Sequence, residues 1–245
     1  GWVASLKSNH YADTVMMDGG VPFPEGEYVI LYEGDGQLEI LFNTAPVVSR
    51  SDGRMVIGTP SRDGLWLRIA QTNPANPIRN IRVILPGFEA SYASDPFHPL
   101  YLERLAGFSV VRFMDWMATN NSPIQTWDER PQLTDATWGT ERGVPVEVMV
   151  DLANRLGADP WFTLPHMADD DYVRQFAITV RDKLAPDRTV YLEYSNETWN
   201  SIFSQAAYVI ERGRALGLSD NDFQAGLFYH SRRAVEIFAI WEEVF

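Results

Sequence analysis

The chain has no cysteine. A disulfide framework and a thiolate metal site are excluded on that ground alone. No uninterrupted apolar run reaches the roughly 18 residues that a membrane-crossing helix needs, and no membrane partner is expected. Basic residues are scarce: 20 Lys and Arg stand against 33 Asp and Glu, a net charge of −13. Nucleic acid and anionic membrane surfaces call for basic patches, so neither is an expected partner. Histidine occurs only as His10, His98, His166 and His230, with no pair at a metal-binding spacing such as His-Glu-x-x-His. A Gly-rich phosphate loop, a dinucleotide fingerprint and a Gly-x-Ser-x-Gly elbow are all missing. No metal and no cofactor are expected. The chain opens Gly1-Trp2-Val3-Ala4 without Met or a signal segment. It reads as a mature or trimmed form, and the missing cysteine fits an exported protein, extracellular or periplasmic. Nothing in the sequence speaks to oligomeric state.

What is present is a composition for packing. Hydrophobic residues make up 45% of the 245, which predicts a core rather than disorder. Residues 1–78 read as β. Glu27-Tyr28-Val29-Ile30-Leu31-Tyr32 and Gln37-Leu38-Glu39-Ile40-Leu41-Phe42 flank the turn Glu33-Gly34-Asp35-Gly36. Val47-Val48-Ser49-Arg50 and Arg54-Met55-Val56-Ile57 flank Ser51-Asp52-Gly53, and Leu65-Trp66-Leu67-Arg68-Ile69-Ala70 closes the series. Short strands with Gly-rich turns predict a small β-sandwich, an accessory domain over residues 1–78. Asn73-Pro74-Ala75-Asn76-Pro77 reads as a stiff connection, and the domain boundary is placed there.

From Ile78 onward strands alternate with helices. Strands are expected at 81–87, 110–116, 161–166 and 189–197, and helices at 99–106, 145–156, 172–184, 201–217 and 220–245. Pro145 opens one helix and Gly157 closes it; one of Asp169, Asp170 and Asp171 caps the next, a reading preferred over weak calcium binding. Four strand–helix units imply a parallel sheet with right-handed crossovers. The last helical pattern reaches Phe245 without a stop signal. The expected architecture is therefore the sandwich followed, over residues 79–245, by the N-terminal half of a (β/α)8 barrel whose other half lies outside this chain. The loop from Met117 to about Val144 exceeds ordinary connection lengths, and such loops tend to carry function.

The stretch Thr189-Val190-Tyr191-Leu192-Glu193-Tyr194-Ser195-Asn196-Glu197-Thr198-Trp199-Asn200 runs from a strand into an Asn-Glu pair just before a helix. That is where barrel enzymes place their chemistry. Strand alternation would put Glu193 and Glu197 on one face, with Glu197 at the open end. Such an Asn-Glu pair after the fourth strand of a βα series, with Trp two residues on, resembles the clan A glycoside hydrolases, (β/α)8 barrels that include many cellulases. The chain is also similar to bacterial proteins described as cellulose-binding that carry a β domain ahead of the barrel. The resemblance covers about residues 79–217. It implies a polysaccharide or oligosaccharide substrate, Glu197 as general acid/base, Asn196 as a contact for the sugar 2-hydroxyl, and a nucleophilic Glu on a seventh strand beyond Phe245.

Glycoside hydrolysis needs one carboxyl to protonate the leaving oxygen and a second to attack or to activate water. Glu197 fits the first role, or else caps the following helix at its N-terminus. Glu193 reads as a deeper, structural carboxylate partnered by Arg112 or Arg82. Asp115 is the in-chain candidate for a second carboxyl or sugar contact, alternatively a loop cap; Glu89 is a weaker one of the same kind. His166 either touches a carboxylate or sugar hydroxyl or is a packed histidine. Trp116, Trp127, Trp138 and Trp199 stand in or beside the expected mouth, where at least one is expected to stack on a pyranose ring. Asn120 and Asn121 either bond hydroxyls or make the turn before Pro123. The reading is a retaining glycoside hydrolase on a β-linked glycan. Its rivals are a non-catalytic carbohydrate-binding protein on a degenerate barrel and a different barrel enzyme, such as a lyase, using Glu197 as base.

Overall fold

The structure, a computed structural model, describes residues 2–20 and 22–245. It divides into two compact units, one ending at His98 and the other spanning Pro99–Phe245. The first unit carries β1 (Ala12–Met17), β2 (Tyr28–Glu33), β3 (Gly36–Ile40), β4 (Val47–Ser51), β5 (Arg54–Ile57), β6 (Leu65–Thr72) and β7 (Arg79–Ile84). They form two antiparallel sheets, ordered β1-β6-β3 and β4-β5-β2-β7. Alternation explains the shared core. Leu65, Leu67 and Ile69 of β6 point inward while Trp66 and Arg68 point away. They meet Tyr28, Ile30, Leu38, Met55 and Ile57, all essentially fully buried. Each such side chain is worth about 1.5–3 kcal/mol of burial. On the outer face Arg68 reaches across to Asp13 at 2.7 Å and lies over the ring of Tyr11.

Two expectations change here. Strand β1 has no counterpart in the sequence reading, because Asp13-Thr14-Val15-Met16 offers no clean alternation, although Asp18-Gly19-Gly20 bounds it. More consequential is β7, expected as the first barrel strand. It pairs antiparallel with β2, placing Ile84 opposite Val29 and Val83 opposite Ile30. The Pro-rich segment before it is a turn inside the unit and not a linker. Asn73 and Asn76 form a bridge, Asn76 N–H donates to Asn73 C=O, and Asp35 N–H donates to Asn76 C=O at 2.8 Å. The compact unit thus extends to His98, where a boundary at residue 78 was expected.

The second unit comprises α1 (Pro99–Leu105), β8 (Val110–Arg112), a 3-10 turn (Trp127–Glu129), α2 (Val146–Leu156), β9 (Asp159–Leu164), α3 (Asp170–Lys183), β10 (Tyr191–Tyr194), α4 (Ser204–Ala215) and α5 (Asp222–Val244). β9 is central, with β8 and β10 parallel on either side. Local chemistry sets the helix ends. Pro145 precedes α2, Gly157 ends it in the left-handed conformation, and the Asp169 carboxylate accepts from Tyr172 N–H at the start of α3. Phe113 stacks on Phe162 at 5.6 Å between centroids, and Phe162 meets Phe176 edge-on at 5.1 Å. α5 packs along α3 and α4. From it the buried Arg233 donates to Asp170 and to Ala168 C=O.

The half-barrel is not what forms. Among the described residues the fold is mixed α/β, with three small, mostly antiparallel sheets and five helices, and three strands run parallel. The run Ile81-Arg82-Val83-Ile84-Leu85 has the apolar density of a buried parallel strand, but an antiparallel edge strand beside β2 accommodates the same pattern. Apolar runs alone do not distinguish the two.

Candidate functional site

Beyond the carboxyl ends of β8 and β10 the backbone leaves ordinary territory. Among the described residues of this unit, four that are not glycine have positive φ: Ala118 (45°), Asn121 (58°), Ser195 (58°) and Glu197 (43°). All four lie in the two loops after β8 and β10. Left-handed backbone costs an L-residue about 1–2 kcal/mol, and such outliers gather where a structure holds something in place for use.

Several bonds hold these loops. After β8, Phe113 N–H still donates to Trp161 C=O, then Thr119 N–H turns back to Met114 C=O. The buried Thr119 hydroxyl meets Thr163 of β9, at 3.1 Å to its carbonyl and 2.5 Å to its hydroxyl. The long loop closes where Val144 N–H donates to Trp116 C=O at 2.7 Å. Gly143 (φ 76°) makes that closure feasible, since a Cβ there would collide with the same carbonyl. After β10, Ser195 N–H reaches Leu164 C=O, and the chain then bends so that Asn200 N–H donates to Glu197 C=O.

A polar network ties the two loops to each other. Arg112 donates to Glu193 Oε2 at 2.7 Å and to Asn196 Oδ1 at 3.0 Å. Asn196 Nδ2 donates to Asn120 Oδ1 at 3.0 Å. Gln205, fully buried in the first turn of α4, donates to Asn120 Oδ1 at 2.7 Å and to Asn196 C=O at 2.8 Å, and accepts from Asn121 N–H at 3.0 Å. Asn121 Oδ1 in turn accepts from Ser204 N–H. Beside this cluster Glu197 is half-buried, and its Oε2 accepts from Asn200 Nδ2 at 2.8 Å. Its Oε1 has no partner among the described residues. Thr198, the next residue, is buried with its hydroxyl 2.9 Å from His230 Nδ1, which fixes the loop to α5.

The expected residues are placed as follows. Glu197, Asn196 and Asn120 come together. The strand rule that paired Glu193 with Glu197 does not apply, because β10 stops at Tyr194 and two left-handed residues then reset direction. Glu193 is held by Arg112 and by the Trp161 indole at 3.1 Å. Arg82, its other expected partner, donates instead to Asn80 C=O on β7. Glu89, in the first unit, forms a two-bond pair with Arg54. Asp115 is exposed in the turn after β8. Trp116 packs between Phe113 and Tyr101, Trp127 lies edge-on to Tyr172 with Arg130 over it, and the Trp138 indole donates to Gln132 C=O. Trp199 is 62% exposed, next to Glu197. Sequence reading missed Gln205, the tie between the loops, and the Thr198–His230 contact. A glutamine at a helix start carries no pattern that marks it.

His166 lies just past β9, 3% exposed. Its carbonyl accepts from the Tyr194 hydroxyl, its ring is edge-on to Tyr208 at 5.2 Å, and Nδ1 is buried with no partner among the described residues. Burial pushes its pKa down from 6.5 to about 4. The unfolded chain therefore takes up a proton near pH 6.5 that the folded one refuses until about pH 4. His166 costs nothing above pH 6.5 and lowers stability progressively as pH falls toward 4. The paired carboxylates Asp13, Glu89, Glu129 and Asp187, whose pKa values their partners lower, release their stabilisation only further down. Denaturant melts between pH 7 and 4.5 should show a loss of about 1–3 kcal/mol that His166→Phe reduces. An unchanged slope in that variant would assign the loss elsewhere.

Among the described residues no three His, Asp or Glu side chains are grouped to hold a metal ion. Compared with protein-family models, curated proteins and solved structures, the chain matches none.

Proposed function

We propose that the mouth formed by the loops after β8 and β10 processes a β-linked glycan, with Glu197 as the proton donor. What supports the reading is that four left-handed residues lie in these two loops, and one hydrogen-bond network ties the loops together at Asn196, the residue before Glu197. Strain of this kind needs surrounding structure to maintain it, and the Glu197 carboxyl keeps one oxygen without a partner among the described residues. In the proposed reaction Glu197 gives its proton to the glycosidic oxygen as the bond from that oxygen to the anomeric carbon breaks. Asn196 is fixed by Arg112 and Asn120, and the second hydrogen on its Nδ2 is available for the sugar 2-hydroxyl. Retention requires a second carboxyl to attack the anomeric carbon. Glu193 does not fit that part, since Arg112 and Trp161 already occupy its Oε2. Its role is to anchor Arg112. The nucleophile is not assigned to any described residue.

Trp199 favours a second reading. A ring 62% exposed beside the pair provides a stacking platform that works with or without cleavage. In both readings Trp199→Ala weakens KM or Kd by about five- to tenfold, the loss of about 1 kcal/mol of aromatic contact, and leaves kcat within a factor of a few. The readings part on product. The protein as its gene encodes it, incubated with cellohexaose, xylohexaose and laminarihexaose, should release new reducing ends, first as the β anomer. Binding that depends on Trp199 without release from any of them would replace hydrolysis by simple carbohydrate binding.

A further inference from the structure

The first unit carries a second feature that its own packing does not explain. Leu41-Phe42-Asn43-Thr44 is a tight turn in which Thr44 N–H and the Thr44 hydroxyl both bond Leu41 C=O. Phe42 (φ 55°) and Asn43 (φ 52°) occupy its two central positions, both left-handed. Turns of this kind select Asn or Gly at both positions, and a bulky aromatic at the first is an outlier. The ring gains little from the fold in return: it is 76% exposed and touches Trp66 edge-on at 5.8 Å. Next to the turn is an open cleft of about 540 Å³ between β3 and β4, each the edge strand of its own sheet. Ile40, Pro46 and Val47 line it with apolar surface, and Glu39, Asn43 and Arg50 with polar groups. Arg50 spans the seam, donating to Leu38 C=O at 2.6 Å.

We infer that this cleft and the Phe42 ring form a second binding site, for a neutral oligosaccharide separate from the proposed cleavage site. A flat exposed ring matches the apolar face of a pyranose. A carboxylate, an amide and a guanidinium together supply the acceptors and donors that sugar hydroxyls need. The cleft has the size of a small-ligand site. The choice of saccharide over another ligand with hydroxyls and an apolar face rests on the proposed function; the strained turn and the cleft do not.

The test uses the whole chain and two substitutions. Phe42→Asn installs the residue the turn prefers and removes the ring, so the melting temperature should hold or rise. Calorimetric titration with cellohexaose and xylohexaose should find two classes of site, and Phe42→Asn should abolish one of them or weaken it at least tenfold while hydrolysis is unchanged. Glu197→Gln should stop hydrolysis and leave the Phe42-dependent site intact. Both sites persisting in Phe42→Asn would overturn the inference, as would a lower melting temperature with unchanged binding, the sign of a purely structural ring. Failure of hydrolysis in the wild-type protein, with the Phe42-dependent site still present, bears on Glu197 alone. Absence of a Phe42-dependent site, with hydrolysis intact, bears on the cleft alone.

Discussion

Glu197→Gln is expected to lower kcat on an unactivated β-glycan by about 10²- to 10⁴-fold, the usual worth of a positioned general acid, with KM changed only a few-fold. The substitution is close to isosteric. A glutamine oxygen can accept from Asn200 Nδ2 as the Glu197 carboxylate does, so the left-handed geometry at residue 197 should survive and the melting temperature should stay put. The decisive control is the leaving group. A dinitrophenyl glycoside departs without needing a proton, so the loss in bond cleavage should shrink sharply on that substrate. A merely structural role for Glu197 would reduce both substrates alike. If Glu197 only caps the approach to α4, neither the rate nor its dependence on the leaving group will respond.

Gln205→Leu should destabilise the protein by about 2–4 kcal/mol and lower the melting temperature by roughly 5–10 °C. Gln205 is fully buried, and its amide satisfies three partners on two loops: Asn121 N–H, Asn120 Oδ1 and Asn196 C=O. Leucine fills similar space but leaves the buried Asn196 carbonyl unpaired and Asn121 N–H without its acceptor, each costing about 1–3 kcal/mol. Asn120 Oδ1 still accepts from Asn196 Nδ2, which limits the total. Activity should fall further than stability accounts for, because the two loops beside Glu197 then lose their buried amide tie and keep the Asn120–Asn196, Asn121–Ser204 and Arg112–Asn196 bonds. A variant with wild-type melting would show that the network is incidental to the fold.

Helices and the turns of the first unit were legible in the sequence because their signals are local. Pro145 and Gly157 bracket α2, Asp169 caps α3, and Ser51-Asp52-Gly53 turns β4 into β5. Partner choice between strands was not legible. Ile81 to Ile84 looks the same whether it begins a parallel sheet or closes an antiparallel one, and the pairing with β2 depends on contacts some fifty residues apart. The Asn196-Glu197 position was readable from the strand before it and the helix after it. Its exact setting was not, since alternation ends at Tyr194 and left-handed Ser195 and Glu197 follow no periodic rule. Among the tryptophans, position in the chain did not separate Trp199 from Trp116 and Trp127, whose rings are engaged by Phe113, Tyr101 and Tyr172. Exposure, which the sequence does not carry, is what sets Trp199 apart from these two.

The central claim is that Asn120, Asn196, Glu197 and Trp199 form one site for a glycan. The most direct measurement is a nitrogen-15 NMR titration of the Glu197→Gln protein with the oligosaccharide on which the wild type is most active, read at the Trp indole and side-chain amide resonances. The Trp199 indole and the Asn120 and Asn196 amides should shift together along a single binding curve. Resonances at these three residues that stay fixed at saturating glycan would contradict the account.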